Sequence, residues 1–121
     1  MHEVGVAEEI LEKAIAAARQ SLGPAARVEA LRVRVGEFSG IDAEALRFAL
    51  EVLSQGGAAE NCSIELIRRP LEIACACGHT AGGEAMHGRC PECGSQSWTV
   101  TGGRDLVLEG VEAVGPDDPA E

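Results

Sequence analysis

The residues best suited to bind a metal are four cysteines arranged in two close pairs. Cys75 and Cys77 are separated by one residue, Cys90 and Cys93 by two, and a glycine directly follows each pair. A metal knuckle turns tightly around its ion, and glycine tolerates the positive φ angles of such a turn. Four thiolates at these spacings can close a tetrahedron around Zn²⁺, with iron as the alternative ion. The spacing therefore predicts a structural zinc site.

The first cysteine pair departs from the usual knuckle, which has two spacer residues instead of one. His79 or His87 could replace one thiolate, because imidazole is also a zinc ligand. We expect all four cysteines to be the ligands. A disulfide or a dithiol redox centre is the alternative, but two knuckles in one short segment favour a metal. The fifth cysteine, Cys62, lies in an alternating apolar run and is expected to be a small buried core residue.

The N-terminus, Met1-His2-Glu3, is a second candidate metal site. The terminal amine, the first amide nitrogens and the His2 imidazole can chelate one ion together, and Glu3 adds an oxygen ligand. Such a nitrogen-rich, square-planar set suits Ni(II) or Cu(II) more than Zn(II). In the simpler interpretation, His2 is an exposed polar residue before a helix. The negative charge of Glu3 then complements the positive end of the helix dipole. Asp42 is a further candidate nickel ligand, although a helix N-cap is the favoured role.

Composition and charge exclude several classes of protein. The chain has 121 residues, a formal net charge of −10 and only 2% aromatic residues, so we expect one domain with an aliphatic core and an acidic surface. That surface repels phosphate backbones and argues against nucleic-acid binding. The sequence has neither a secretory signal nor a membrane-spanning run, which together with the cysteine spacing predicts a cytoplasmic protein. Its three histidines fall outside the predicted core, so a hydrolase or redox enzyme is not expected.

The hydrophobic pattern predicts an α+β fold in which two helices cover a three-stranded sheet. The first predicted helix covers residues 1–20, and the second begins at Asp42. The first predicted strand starts at Arg27, the second covers 62–67 and the third covers 105–114. The zinc-knuckle module, resembling a zinc ribbon, is inserted between the second and third strands. Phe48 and Val52 are expected to widen the buried face of the second helix. Trp98 is expected to pack against the metal module.

These elements predict a division of the chain into three parts. Residues 1–70, completed by a strand at 104–115, form the nickel-binding α+β domain. Residues 71–103 form the zinc-binding module, and the unpatterned tail at 116–121 is expected to be disordered.

Several stretches together resemble the HypA/HybF family of hydrogenase maturation factors. These are MHE at the start, VGEFSGIDAEALRFALEVL after the first strand, CPECGS in the second knuckle and GRDLVLEGVEA near the end. The resemblance implies a cytoplasmic metallochaperone that delivers Ni(II) to the large subunit of [NiFe] hydrogenases with a HypB-type GTPase. Some members also serve urease, which adds urease accessory proteins as partners, and a homodimer is compatible with the family. The alternative is a zinc-ribbon nucleic-acid or protein-interaction module without nickel transfer.

The resemblance also assigns roles to individual residues. It implies that His2 is a nickel ligand, that Glu3 contributes at or beside the nickel site, and that zinc is bound by the four knuckle cysteines, Cys75, Cys77, Cys90 and Cys93. The shortened first pair departs from the family pattern.

Overall fold

A computed structural model of the protein describes residues 2–116. Within this range the chain forms two helices, six strands and one 3₁₀ turn. In chain order they are α1 (Glu3–Leu22), β1 (Arg27–Gly36), α2 (Ala43–Leu53), β2 (Ser63–Arg69), β3 (Glu72–Cys75), β4 (Thr80–Gly82), the 3₁₀ turn (Gly83–Ala85), β5 (Trp98–Gly102) and β6 (Leu106–Val114). The predicted disordered tail at 116–121 lies, except for Pro116, outside the described residues, as does Met1.

The first sheet has the strand order β2-β1-β6, with β1 in the centre. β1 runs parallel to β2 and antiparallel to β6. Parallel neighbours need a crossover connection, and α2 supplies it between β1 and β2. The second sheet lies between β2 and β6 in the sequence. The predicted α+β fold, with two helices on a three-stranded sheet and an inserted metal module, is confirmed.

An aliphatic core joins the two helices to the first sheet. The central strand alternates as predicted, since Leu31, Val33 and Val35 are buried while Arg32 is exposed. Each fully buried leucine or valine stabilises the fold by about 1.5–3 kcal/mol relative to an exposed one. Cys62 is half-buried at the edge of this core, so it is less enclosed than the sequence predicted.

The prediction for the outer half of α2 was wrong. Phe48 is 68% exposed and Val52 is 46% exposed, whereas Leu46 and Leu50 are fully buried. Positions 48 and 52 lie one helical turn apart and form one stripe on the solvent side. The buried face of α2 is narrow because it meets only α1 and the small sheet.

The second sheet is a short antiparallel sheet with the order β4-β3-β5. Its buried anchors are Leu71 and Ile73. Trp98 begins β5 within this module, and its indole Nε1–H donates a hydrogen bond to the carbonyl oxygen of Gly88 at 3.0 Å. Trp98 therefore ties β5 to the segment that leads into the second cysteine pair.

A neck connects the two sheets, where segments 69–71 and 103–105 pass the loop at 36–38. Backbone N–H groups of this loop donate to the carbonyl oxygens of Arg69 at 2.7 Å, Gly103 at 2.7 Å and Asp105 at 2.8 Å. The Leu71 N–H donates to Glu37 Oε1 at 2.6 Å. Gly103 has a φ of +88°, and a Cβ there would lie 2.5 Å from the carbonyl oxygen of residue 70. Only glycine fits this crossing.

Candidate metal centres

The four knuckle cysteines converge at one point, although the first pair is shortened. Their Sγ atoms all lie within 4.8 Å of one another. The Sγ atoms of Cys75 and Cys93 are 3.4 Å apart, and those of Cys77 and Cys90 are 3.6 Å apart. A regular ZnS₄ tetrahedron with Zn–S bonds of about 2.3 Å has sulfur–sulfur distances of about 3.8 Å. The donor set therefore fits a four-coordinate zinc ion.

The first knuckle is closed by backbone hydrogen bonds around Cys75. Its N–H donates to the carbonyl oxygen of His79 at 2.8 Å, and the Gly78 N–H donates to the Cys75 carbonyl oxygen at 2.9 Å. Gly78 has a φ of +101°, as the knuckle spacing predicted. The backbone N–H of Cys77, followed by the thiol of Cys93, lowers the pKa of Cys75 to about 7. This turn stabilises a thiolate before any ion binds.

The second knuckle repeats the same plan. The Cys90 N–H donates to the carbonyl oxygen of Ser95, and the Gly94 N–H donates to the carbonyl oxygen of Cys90, both at 2.8 Å. Gly94 has a φ of +77°. The Glu92 N–H points at the Cys90 sulfur from 3.4 Å. Backbone donors at thiolate sulfurs are charge-assisted and hold the side chains in ligand geometry.

Protons are shared unequally among the four thiols. The backbone N–H of His79 lowers the pKa of Cys77, but the thiol of Cys90 and burial raise it overall. A backbone N–H also lowers the pKa of Cys93, but the thiol of Cys75 and burial raise it to about 12. Burial raises the pKa of Cys90, but backbone N–H groups of its knuckle bring it below the ordinary value. An incoming cation therefore has to displace protons to gather all four thiolates.

The cluster is half-enclosed. Cys75 and Cys90 are buried, whereas Cys77 and Cys93 are exposed. Among the described residues, neither His79 nor His87 belongs to the group that can bind one ion. The His79 ring lies instead against Trp98, with ring centroids 6.4 Å apart.

The N-terminal candidates lie at the start of α1. His2 is exposed, and its carbonyl oxygen accepts the first helical hydrogen bond, from the Val6 N–H at 3.0 Å. Glu3 is only 6% exposed. Its Oε2 accepts a hydrogen bond from the Asp42 N–H at 2.9 Å. Hydrogen bonding to the chain's terminal ammonium and to the Asp42 N–H lowers the pKa of Glu3 to about 2.

Asp42 is the N-cap of α2, the role that the sequence favoured. Its Oδ1 accepts hydrogen bonds from the N–H groups of Glu44 at 2.9 Å and Ala45 at 3.1 Å. The contact between Glu3 and Asp42 was not predicted. A signal for it exists in the sequence, because Glu3 lies on the same helical stripe as the buried Ala7 and Leu11. An acidic residue on a buried stripe needs a partner.

Comparison with known proteins decides the family. Residues 1–113 match the family model described as "Hydrogenase/urease nickel incorporation, metallochaperone, hypA". The chain belongs to the HypA family. A relative from Synechococcus sp., named hydrogenase maturation factor HypA, is 33% identical over 115 residues, which is 94% of this chain and 100% of the relative. One of the same name from Syntrophus aciditrophicus is 37% identical over 106 residues, covering 87% and 91% of the two chains.

Solved HypA structures share the fold. The solution structure of the Ni metallochaperone HypA from Helicobacter pylori has a TM-score of 0.64 at 22% identity, covering 95% of this chain and 99% of the other. A second HypA solution structure has a TM-score of 0.70 at 22% identity, covering 94% and 97%. The family is one of nickel metallochaperones, and the four-cysteine cluster is consistent with a structural zinc site. Neither helix in residues 2–116 is long and apolar enough to cross a membrane.

Proposed function

We propose that this HypA protein binds Ni(II) at its N-terminus in the cytoplasm and delivers it to the large subunit of [NiFe] hydrogenase. Family membership and the relatives' names support hydrogenase maturation. The observation that carries the proposal is the position of His2, an exposed imidazole directly before a helix whose first turn is anchored to the core. A metallochaperone needs its cargo ligands accessible to the recipient while the scaffold behind them stays fixed.

The N-terminus offers nickel a nitrogen-rich ligand set. The first four N–H groups of a helix have no carbonyl partner within it, so the amide nitrogens of His2 and Glu3 can lose protons without breaking a helical hydrogen bond. Together with the imidazole and the terminal amine they form the set that suits square-planar Ni(II). Such a site at a chain end is open to an incoming protein, which favours transfer over storage.

Zinc has a different role in this proposal. Cys75, Cys77, Cys90 and Cys93 would hold one structural zinc ion that stabilises the second sheet. A tetrahedral site with four protein ligands has no open position for chemistry. The protein would therefore carry nickel and retain zinc, and it would not act as an enzyme.

Partners follow from charge and family membership. The net charge of −10 favours basic partner surfaces and disfavours nucleic acid. A HypB-type GTPase is the proposed partner in nickel delivery, and the hydrogenase large subunit is the recipient. The family description also includes urease, so urease accessory proteins form a second class of partner.

Metal analysis of the purified protein tests this function. We expect one retained zinc and one exchangeable nickel per chain, and His2→Ala should remove tight nickel binding while fold and zinc content stay unchanged. His87→Ala removes an exposed histidine outside the proposed nickel site and serves as the matched control. Hydrogenase maturation in cells should fail with His2→Ala and persist with His87→Ala. If His2→Ala bound nickel as tightly as the wild type, the nickel proposal would fail. The alternative, an interaction module that holds zinc and does not transfer nickel, would then be favoured.

A further inference from the structure

We propose that Glu3 is a positioning residue whose carboxylate fixes the nickel-binding terminus to the start of α2, and that this carboxylate does not ligate the ion. This inference rests on the proposed nickel function. The sequence resemblance left Glu3 at or beside the site. The contacts of its side chain distinguish these two roles.

The Glu3 side chain is buried, although the residues on either side of it in the chain are exposed. His2 and Val4, its neighbours in the chain, are both exposed, whereas Glu3 is 6% exposed. Its Oε2 accepts the Asp42 N–H at 2.9 Å. A nickel ion that took Oε2 as a ligand would have to draw this oxygen away from the Asp42 N–H. That movement would leave the Asp42 N–H without its acceptor, which is unfavourable for a part-buried group.

The contact completes the cap of α2 in an unusual way. In a capping box, the N-cap side chain bonds the N–H of the third helical residue, whose Glu or Gln side chain bonds back to the N-cap N–H. Asp42 makes the first bond to Ala45, but alanine has no acceptor with which to return it. Glu3 supplies that second acceptor from α1. The two helices therefore share one cap, divided between chain positions far apart in sequence.

This shared cap determines where the nickel ligands lie. Glu3 is the first residue of α1 and directly follows His2, so fixing its carboxylate fixes the direction in which the chain end leaves the fold. Without it, the first turn of α1 would lose this polar contact with the start of α2 and would fray more readily. Positioning by Glu3 lowers the loss of conformational freedom when the terminus closes around nickel.

Two substitutions at Glu3 separate positioning from ligation. Glu3→Gln keeps an oxygen that can accept the Asp42 N–H, whereas Glu3→Ala removes it. Both remove the negative charge, so the electrostatic loss of nickel affinity is common to both. Positioning predicts that Glu3→Ala binds nickel about tenfold more weakly than Glu3→Gln in a chelator competition. Ligation by the carboxylate predicts equal loss in both variants. Glu8→Ala, an exposed glutamate of the same helix, is the control and should match the wild type.

Amide hydrogen exchange at Asp42 tests the same contact without nickel. Exchange of the Asp42 N–H should accelerate about tenfold in Glu3→Ala and stay near the wild-type rate in Glu3→Gln. Equal nickel binding by the two variants, or unchanged exchange in Glu3→Ala, would overturn the proposal. Failure of the proposed nickel function would be recognised separately, because His2→Ala would then bind nickel as the wild type does. The exchange rate of the Asp42 N–H would still report whether Glu3 holds the start of α2. Helix content by circular dichroism and a cooperative thermal transition verify that each variant has folded.

Discussion

The cysteine cluster and the proposed nickel-binding N-terminus of this HypA protein differ in how many of their candidate ligands the fold holds in place. The cysteine cluster has four sulfur atoms within 4.8 Å of one another, each in a knuckle closed by backbone hydrogen bonds. The N-terminus has one exposed imidazole at the end of a helix, with only the following residue anchored. A preorganised ligand set loses little conformational entropy on binding and retains its ion, whereas a partly ordered set can release it. In the proposed function, the cysteine cluster would therefore retain its ion and the N-terminus would release its own.

Among the changes that test this difference, loss of one buried cysteine should have the largest effect on metal content and stability. Cys90→Ala removes a proposed zinc ligand that is 2% exposed. We expect the protein to lose zinc and the segment from Leu71 to Thr101 to unfold. Structural zinc contributes about 10–16 kcal/mol of apparent binding energy in small zinc-finger peptides at pH 7, and the short second sheet has few other contacts. Zinc content and amide exchange measure both effects.

Cys62→Ala is the control for this experiment, because that cysteine lies outside the cluster. It should keep one zinc per chain. The first sheet and its helices should survive in Cys90→Ala, since their aliphatic core is separate. A Cys90→Ala protein with one zinc and unchanged exchange in the second sheet would contradict the zinc assignment.

Extending the chain before Met1 should produce an intermediate effect, confined to the open site. An N-terminal tag converts the terminal amine into an amide, which removes one proposed nickel ligand but leaves His2 in place. We expect weaker nickel binding and unchanged zinc content, as measured by chelator competition for each metal. Cleavage of the tag should restore the affinity if it regenerates the natural terminus. Equal nickel affinity with and without the tag would show that the amine is not a ligand.

Removal of His79 should have the smallest effect and sharpens the description of the closed site. His79 follows the first knuckle, but its ring lies against Trp98 and outside the sulfur cluster. We expect His79→Ala to keep zinc in an all-sulfur shell and to change only the fluorescence of Trp98. X-ray absorption would report the shell directly. A shell of three sulfurs and one nitrogen that changes in His79→Ala would mean that the shortened first pair supplies only one ligand.

Local spacing was sufficient to predict much of the closed site. Cysteine pairs followed by Gly78 and Gly94 predicted the knuckles, and both glycines have the expected positive φ. The alternation around Val33 predicted the central strand and its buried face. These features depend on residues near one another in the chain. The ligand roles of His2 and Glu3 stay predictions.

Features that depend on packing between distant segments could not be predicted in the same way. The bond from the Asp42 N–H to Glu3 joins two helices, and nothing local to either residue identifies its partner. Phe48 and Val52 have a helical spacing that suits burial, but only the finished arrangement of α1, α2 and the sheet shows that no layer covers them. Strands as short as β4 also carry too little alternation to be recognised.

At the neck, segments 69–71 and 103–105 lie side by side, so the folded second sheet brings the end of β2 close to the start of β6. This arrangement affects the order in which the chain folds. β6 is last in the sequence yet pairs with the central β1, so its docking closes a long loop that contains the whole second sheet. Loop-closure entropy rises only by about 0.6 kcal/mol for each doubling of loop length. Shortening this loop by assembling the second sheet around a metal ion therefore changes the docking of β6 only slightly. We expect the first sheet to form at nearly the same rate with or without zinc, so that a newly made chain can fold first and acquire its metal afterwards.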